Sequence, residues 1–285
     1  MGGLIPRTLA EALEARATHP EAVMVAGGTD LMVAVNFGRL HPPQLLDLTR
    51  VEELAGWERR DGTVRVGAGM TFARITRELG DFPALVQASR SVGSPQIRNR
   101  GTIGGNLGTS SPAGDVLPVL AAYDADIVLA SVRGERRLRW DEFLLGPKRN
   151  ALAGDELIVG AEWRPADGVG SFAKVGTRNA MVIAIASVCL QLDRVTRGVR
   201  VALGSVAPTV VRAREAEAFA AEVIDWDDPE RPPSVQAAEE FGIFAAAATR
   251  PIDDVRGSAG YRRRAVDVLA RRALLWAADD RRMAA

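Results

Sequence analysis

The sequence predicts an α+β protein in two parts. Residues 1–170 form a two-lobed unit, with lobes over 1–52 and 53–170, and residues 171–285 form an antiparallel sheet with helices. Three observations predict this. Short apolar runs alternate with helical periodicity through the first 163 residues. Three strand-like runs then follow one another closely. Beyond residue 213 helical patterns dominate.

In the first lobe, Leu9 and Leu13 recur at helical spacing over 9–18, with Thr8 as the N-cap. Residues 22–26 read as a buried strand, which Gly27-Gly28-Thr29-Asp30 interrupts before a short helix over 31–36. His41-Pro42-Pro43 is a loop, and 44–48 is a strand. In the second lobe, a strand over 64–68 follows the Asp61-Gly62 turn. Helices are expected over 71–79 and 83–91, and an irregular stretch rich in Gly, Ser, Thr and Asn over 93–114. A helix over 116–123 takes Asp115 as its N-cap. Strands over 127–130 and 136–140 flank Arg133-Gly134, and a strand over 157–163 closes the lobe. In the third lobe the strands are 171–174, 184–193 and 199–206; the middle one is almost continuously apolar and is expected at the centre of its sheet. Helices follow over 213–223 and 235–248. The last, over 261–278, is amphipathic, with Val266, Leu269, Ala273 and Leu274 on one face.

Composition narrows the chemistry. Lys+Arg and Asp+Glu both number 36, so nothing favours non-specific binding to nucleic acid. One cysteine, Cys189, and two histidines, His19 and His41, leave this chain without the ligands for an iron–sulfur cluster or a cysteine zinc site. Residues 1–7 are too short and glycine-rich for a signal peptide's apolar core, no run suits a membrane span, and a single thiol fits a reducing compartment, so a cytoplasmic protein is expected. The only lysines are Lys148 and Lys174, which makes each stand out.

Two segments could hold a ligand. In Val25-Ala26-Gly27-Gly28-Thr29-Asp30-Leu31 a strand enters two glycines and then a helix start, which makes either a phosphate cradle of backbone N–H groups or a plain tight turn. The segment Gly101-Thr102-Ile103-Gly104-Gly105-Asn106-Leu107-Gly108-Thr109-Ser110-Ser111-Pro112-Ala113-Gly114-Asp115 offers backbone and hydroxyl donors, and Asp115 could accept from a sugar hydroxyl. It suits an extended ligand with a pyrophosphate and a ribose, or it is a flexible loop with Asp115 as a cap. Two such segments in one chain favour a dinucleotide.

These motifs carry a resemblance. Ala26-Gly27-Gly28-Thr29-Asp30-Leu31, Ile97-Arg98-Asn99-x-Gly101-Thr102-Ile103-Gly104-Gly105-Asn106 and Ser111-Pro112-Ala113-Gly114-Asp115 look like the FAD-binding medium subunit of the molybdenum hydroxylases, the family of xanthine dehydrogenase and carbon monoxide dehydrogenase. Phe172-x-Lys174, Ala202-Leu203-Gly204-Ser205-Val206-Ala207-Pro208, Arg212-Ala213-x-Glu215-Ala216-Glu217 and Asp254-x-Arg256-x-Ser258-Ala259-x-Tyr261-Arg262-Arg263 continue the match in order, over essentially the whole chain.

The resemblance implies a two-lobed FAD-binding domain of the vanillyl-alcohol-oxidase-like (PCMH) type. In it the bends at Ala26 to Leu31 and Thr102 to Asn106 would hold the FAD pyrophosphate, and Asp115 the ribitol or ribose hydroxyls. Thr109 belongs to the hydroxyl cluster beside them. Ile158 and Lys174 would line the FAD site, and Val92 and Ile183 would flank the ring. A cation at Lys174 would stabilise reduced flavin; the other reading is a surface lysine. The FAD would be non-covalent, because neither bend has a His, Cys or Tyr. Molybdopterin and two [2Fe–2S] clusters would sit on a large and a small partner subunit, with NAD, a quinone or another acceptor taking the electrons. Thr29-Asp30 sides with the xanthine and N-heterocycle branch, where the carbon monoxide branch often has His-Ser. The alternatives are a nucleotide-binding assembly scaffold and a stand-alone flavin oxidoreductase. Tyr261 with Arg262, Arg263 and Arg264 reads as a solvated helix face sooner than a partner contact.

Overall fold

The computed structural model describes the backbone of residues 2–284 and the side chains of residues 2–279. Its first sheet has three parallel strands, β1 (Gly2–Leu4), β2 (Val23–Val25) and β3 (Gln44–Asp47), in the order β1-β3-β2. Helix α1 (Leu9–Thr18) starts where expected, with Thr8 Oγ1 accepting from the N–H of Glu11. Helix α2 (Leu31–Asn36) follows β2 and buries none of its residues.

The second sheet is antiparallel. It contains β4 (Trp57–Arg60), β5 (Thr63–Gly67), β6 (Asp126–Ser131), β7 (Gly134–Arg139) and, after a small hairpin of β8 (Leu144–Gly146) and β9 (Arg149–Asn150), β10 (Leu157–Trp163). Its order is β4-β5-β10-β6-β7. One face of β6 and β10 packs Val128, Ala130, Leu157 and Val159 against Leu46 and Ala12 of the first sheet layer. The other face carries helices α3 (Phe72–Glu78), α4 (Pro83–Ser91), α5 (Pro95–Arg100), α6 (Ile103–Thr109), α7 (Leu117–Ala122) and α8 (Trp140–Phe143).

Two of those helices correct the sequence reading of 93–114 as irregular. Ser94 caps α5, with Pro95 at its first position, and Thr102 Oγ1 accepts from the N–H of Gly105 to cap α6. Caps and proline supply the helix starts that the glycine-rich composition concealed. Asp115 is a second correction. Helix α7 is capped at Val116 without a side-chain hydrogen bond, and Asp115 pairs with Lys174 instead. Strands β1, β4, β8 and β9 lie outside the runs that the sequence marks as strands.

The third sheet is β11 (Gly170–Val175), β12 (Ala186–Asp193), β13 (Gly198–Gly204) and β14 (Val211–Arg212), all antiparallel and in chain order. Strand β12 is interior and buried along its whole length. Its Val188, Leu190 and Leu192 face helices α9 (Arg214–Val223), α10 (Val235–Ala247) and α11 (Ala259–Ala284), while Cys189 faces the core of the second sheet. Burial on both faces explains the unbroken apolar run, and it also pushes the Cys189 thiol up, so it is inert at neutral pH. Among the described residues no helix is long and apolar enough to cross a membrane.

The expected solvated arginine face of α11 is wrong at one position. Arg262 is 2% exposed and donates to Ile185 O, Ser205 O and Asp254 Oδ1. It ties the last helix to the sheet, so sequence neighbours of the same type have unlike roles. The N–H of Arg256, then the guanidinium groups of Arg256 and Arg262, hold the Asp254 carboxyl well below the usual carboxylate range. A carboxyl depressed by folding contributes stability that is present above its unfolded pKa, about 3.9, and is lost as pH falls below it. Asp254→Asn should therefore flatten the acid limb of a plot of Tm against pH, and unchanged acid sensitivity would refute the assignment.

Candidate functional site: a cleft between two glycine bends

The bend after β2 and the bend between α5 and α6 are in backbone contact. A Cβ on Gly27 would lie 2.2 Å from Arg100 O and 2.9 Å from Gly101 Cα, so only glycine lets the two chains meet. Thr109 Oγ1 donates to Asp30 Oδ2 at 3.0 Å across the same junction. Beside it opens a cleft of about 1080 Å³, just above the usual range for small-molecule sites.

The bends differ in what they offer. In the second, Ile103 N–H donates to Met70 O, Gly104 N–H to Ala68 O, Gly105 N–H to Thr102 Oγ1 and Asn106 N–H to Thr102 O. A Cβ on Gly104 would sit 2.6 Å from Ala68 Cβ, so this bend is seated hard against the end of β5. It gives close approach more than free donors. In the first bend, no described residue accepts from the N–H groups of Gly27, Gly28, Thr29, Asp30 or Leu31. Gly28 has φ +73°, which turns this row of donors. Such a row favours an anion.

Val25, Ala26, Gly27, Gly28, Thr29, Asp30, Leu31, Val92, Thr102, Gly104, Gly105, Asn106, Thr109, Asp115, Ile158 and Ile183 all line the cleft. Ile103 does not; it is fully buried in the core. Lys174 also stands behind the wall. Its Nζ donates to Asp115 Oδ2 at 2.5 Å, Ser91 O at 2.9 Å and Val182 O at 3.1 Å, so all three N–H donors are engaged by the protein.

Asp115 joins this cluster to the cleft. Its Oδ2 also accepts from Ser91 Oγ at 3.1 Å, while its buried Oδ1 has no protein donor. Burial pushes the carboxyl above the usual carboxylate range, and the Lys174 charge pulls the other way. Asn106 Oδ1 is likewise buried and unpartnered. Two acceptors at the cleft without donors point to a ligand bearing hydroxyl or amide hydrogens.

Sequence reasoning missed three residues here. Asn150 Nδ2 donates to Gly108 O and Ser110 Oγ, both at 3.1 Å, and braces the end of α6. Arg16 is 8% exposed, lines the cleft, donates to Pro20 O and Ala22 O, and leaves Nε unpartnered. Arg98 grips the Val92–Gly93 turn. Nothing in the local sequence marks Asn150 or Arg16; Arg98 belongs to the Ile97-Arg98-Asn99 motif, but only the fold turns it onto the Val92–Gly93 carbonyls. Lys148, which stood out by rarity alone, lines the cleft in a left-handed conformation with φ +56°. Among the described residues no group of three His, Cys, Asp or Glu could hold a metal ion.

Comparison with known proteins agrees with the geometry. The family described as FAD binding domain in molybdopterin dehydrogenase matches residues 1–162. The CO dehydrogenase flavoprotein C-terminal domain matches residues 171–277. The nicotinate dehydrogenase FAD-subunit of Eubacterium barkeri is 38% identical over 191 residues, which span 63% of this chain and 64% of that one, just under two thirds. The nicotine 6-hydroxylase medium subunit of Paenarthrobacter nicotinovorans is 31% identical over 95% of this chain and 94% of its own. A solved chain of carbon monoxide dehydrogenase from Hydrogenophaga pseudoflava superposes with a TM-score of 0.85 at 27% identity, covering 99% of this chain and 98% of that one.

Proposed function

Because the chain belongs to the family of FAD-binding subunits of molybdopterin dehydrogenases, we propose that it is the electron-exit subunit of a three-subunit molybdenum hydroxylase. A small partner with [2Fe–2S] clusters would deliver electrons, and a large partner with molybdopterin would oxidise the substrate. NAD, a quinone or another acceptor would take the electrons away. We divide the chain near residue 170, into an FAD-binding domain over 1–170 and a C-terminal domain over 171–285. The lone buried thiol suits a cytoplasmic setting.

The residues present fit FAD. One observation carries this reading: the cleft has a row of free backbone donors on one bend and, on its walls, two buried acceptors without donors. A diphosphate bridge matches the first and polyol hydroxyls match the second. Gly27, Gly28, Thr29, Asp30 and Leu31 would bind the diphosphate through main-chain N–H groups. Gly104 and Gly105 would let it approach the second bend. Asp115 Oδ1 would accept from a ribityl or ribose hydroxyl, and Lys174 would hold Asp115 in place. Val92 and Ile183 would exclude water beside the ring. Bound FAD supplies the redox chemistry, a carrier that can take electrons singly and release them in pairs. It would be held without a covalent bond, since among the described residues no His, Cys or Tyr lines the cleft.

The test is direct. Purified or FAD-reconstituted protein should be yellow, acid should release intact FAD, and an iron–sulfur protein should co-purify from native extract. Colourless protein that ignores added FAD overturns the reading.

A further inference from the structure

Three consecutive carbonyls beside the cleft are turned onto cations. Ser91 O accepts from Lys174 Nζ at 2.9 Å. Val92 O and Gly93 O accept from a single nitrogen, Arg98 Nη1, at 3.0 and 2.8 Å. Val92 and Gly93 line the cleft, whereas Arg98 stands outside its lining. The carbonyl oxygens of the turn are thus bonded to a guanidinium that is itself no part of the lining.

The turn needs this hold. Gly93 is left-handed, with φ +44°, and a Cβ there would come within 2.8 Å of Ile97 Cγ2. Glycine loses more freedom on ordering than any other residue, so an unclamped turn would flex. Ser94 and Pro95 fix the start of α5, and Arg98, one turn later, reaches back over them. Charge-assisted bonds to both carbonyls hold such a turn roughly twice as strongly as neutral ones would.

We propose that Arg98 is a positioning residue for the flavin ring. It keeps two carbonyl dipoles from turning their negative ends into the cleft, and so sets both flavin affinity and reduction potential. The proposal rests on the FAD reading above, with Val92 bordering the ring. Reduced flavin carries more negative charge than oxidised flavin. A carbonyl oxygen swinging toward the ring would therefore destabilise the reduced form selectively, the more so in a partly dry site.

The experiment compares wild type, Arg98→Met and Arg98→Lys, each reconstituted with FAD. It reads the dissociation constant from flavin fluorescence, the midpoint potential from a dithionite titration against a reference dye, and Tm. Arg98→Met should bind FAD about tenfold more weakly, as expected for losing a charge-assisted bond, and its potential should move lower. Arg98→Lys should recover part of both, because an ammonium keeps the charge without the fixed fork. An unchanged potential in Arg98→Met overturns the proposal, whatever happens to Tm, since a purely structural role moves Tm alone. Should Arg98→Met fail to fold, Arg98→Lys decides: a lowered potential supports positioning, and a wild-type value overturns it. A wild-type chain that takes up no FAD fails one step earlier, at the reading beneath, and the two failures are thereby told apart.

Discussion

Gly105→Val should give a folded protein that has lost its flavin, while Gly27→Val should lose fold and flavin together. The contrast follows from what a side chain would meet. A Cβ on Gly105 meets only Thr102 Oγ1, at 3.2 Å, and otherwise looks into the cleft that Gly105 lines. Valine is no worse than glycine within a helix, so α6 gains or loses only a few tenths of a kcal/mol. Its methyl groups would occupy space the ligand needs. Overpacking of that kind costs about 1–3 kcal/mol, or roughly a ten- to hundredfold loss of affinity. At Gly27 the added atoms run into Arg100 O at 2.2 Å, which is main chain and cannot rotate away. The two bends would be forced apart, and the Thr109–Asp30 hydrogen bond with them. Flavin absorbance after gel filtration, with thermal unfolding of the same samples, reads both effects. If Gly105→Val keeps wild-type flavin affinity, the cleft beside it is not where the ligand sits.

That contrast was not legible in the sequence, although the bends were. Helices α2 and α4 and strand β10 were read to the residue because each carries local signals: a glycine bend before α2, Pro83 opening α4, an apolar run between polar flanks for β10. Helices α5 and α6 hide in a Gly/Ser/Thr/Asn stretch, and only their caps, Ser94-Pro95 and Thr102, mark them. Strand β1 exists because β3 lies parallel to it, with Gly2 opposite Gln44, a separation that no window of sequence contains. The same limit governs the site. Sequence showed which segments were rich in donors. It could not show that α6 uses its own first N–H groups while the bend before α2 leaves its donors free. Nor could it show that Asp115, plausible as a cap for α7, would find Lys174 at 59 residues' separation. Local grammar gives elements and candidate segments, and tertiary pairing assigns the roles.

Lys174→Met should be among the most damaging single changes to stability, and its cost should depend on pH in a defined direction. The Lys174 and Asp115 side chains are 10% and 7% exposed. Removing one partner of a buried pair leaves the other uncompensated, at about 3–5 kcal/mol. The remaining carboxylate escapes that cost only by taking a proton. Burial already raises the Asp115 pKa and Lys174 is the largest opposing influence, so its loss raises that pKa further. A carboxyl whose pKa is higher folded than unfolded makes folding most favourable below the unfolded value, about 3.9, and less favourable as pH climbs toward the folded one. Lys174→Met should therefore be less resistant to urea at pH 8 than at pH 5, by a wider margin than wild type shows. Adding Asp115→Asn removes the titrating group, and the double variant should regain stability and a flat profile. It should not regain flavin binding, for two reasons: the neutral amide has one acceptor oxygen where the carboxylate has two, and the ties from Lys174 to Ser91 O and Val182 O are gone. A Lys174→Met protein whose urea midpoint is the same at both pH values would show that Asp115 does not depend on this lysine for its charge.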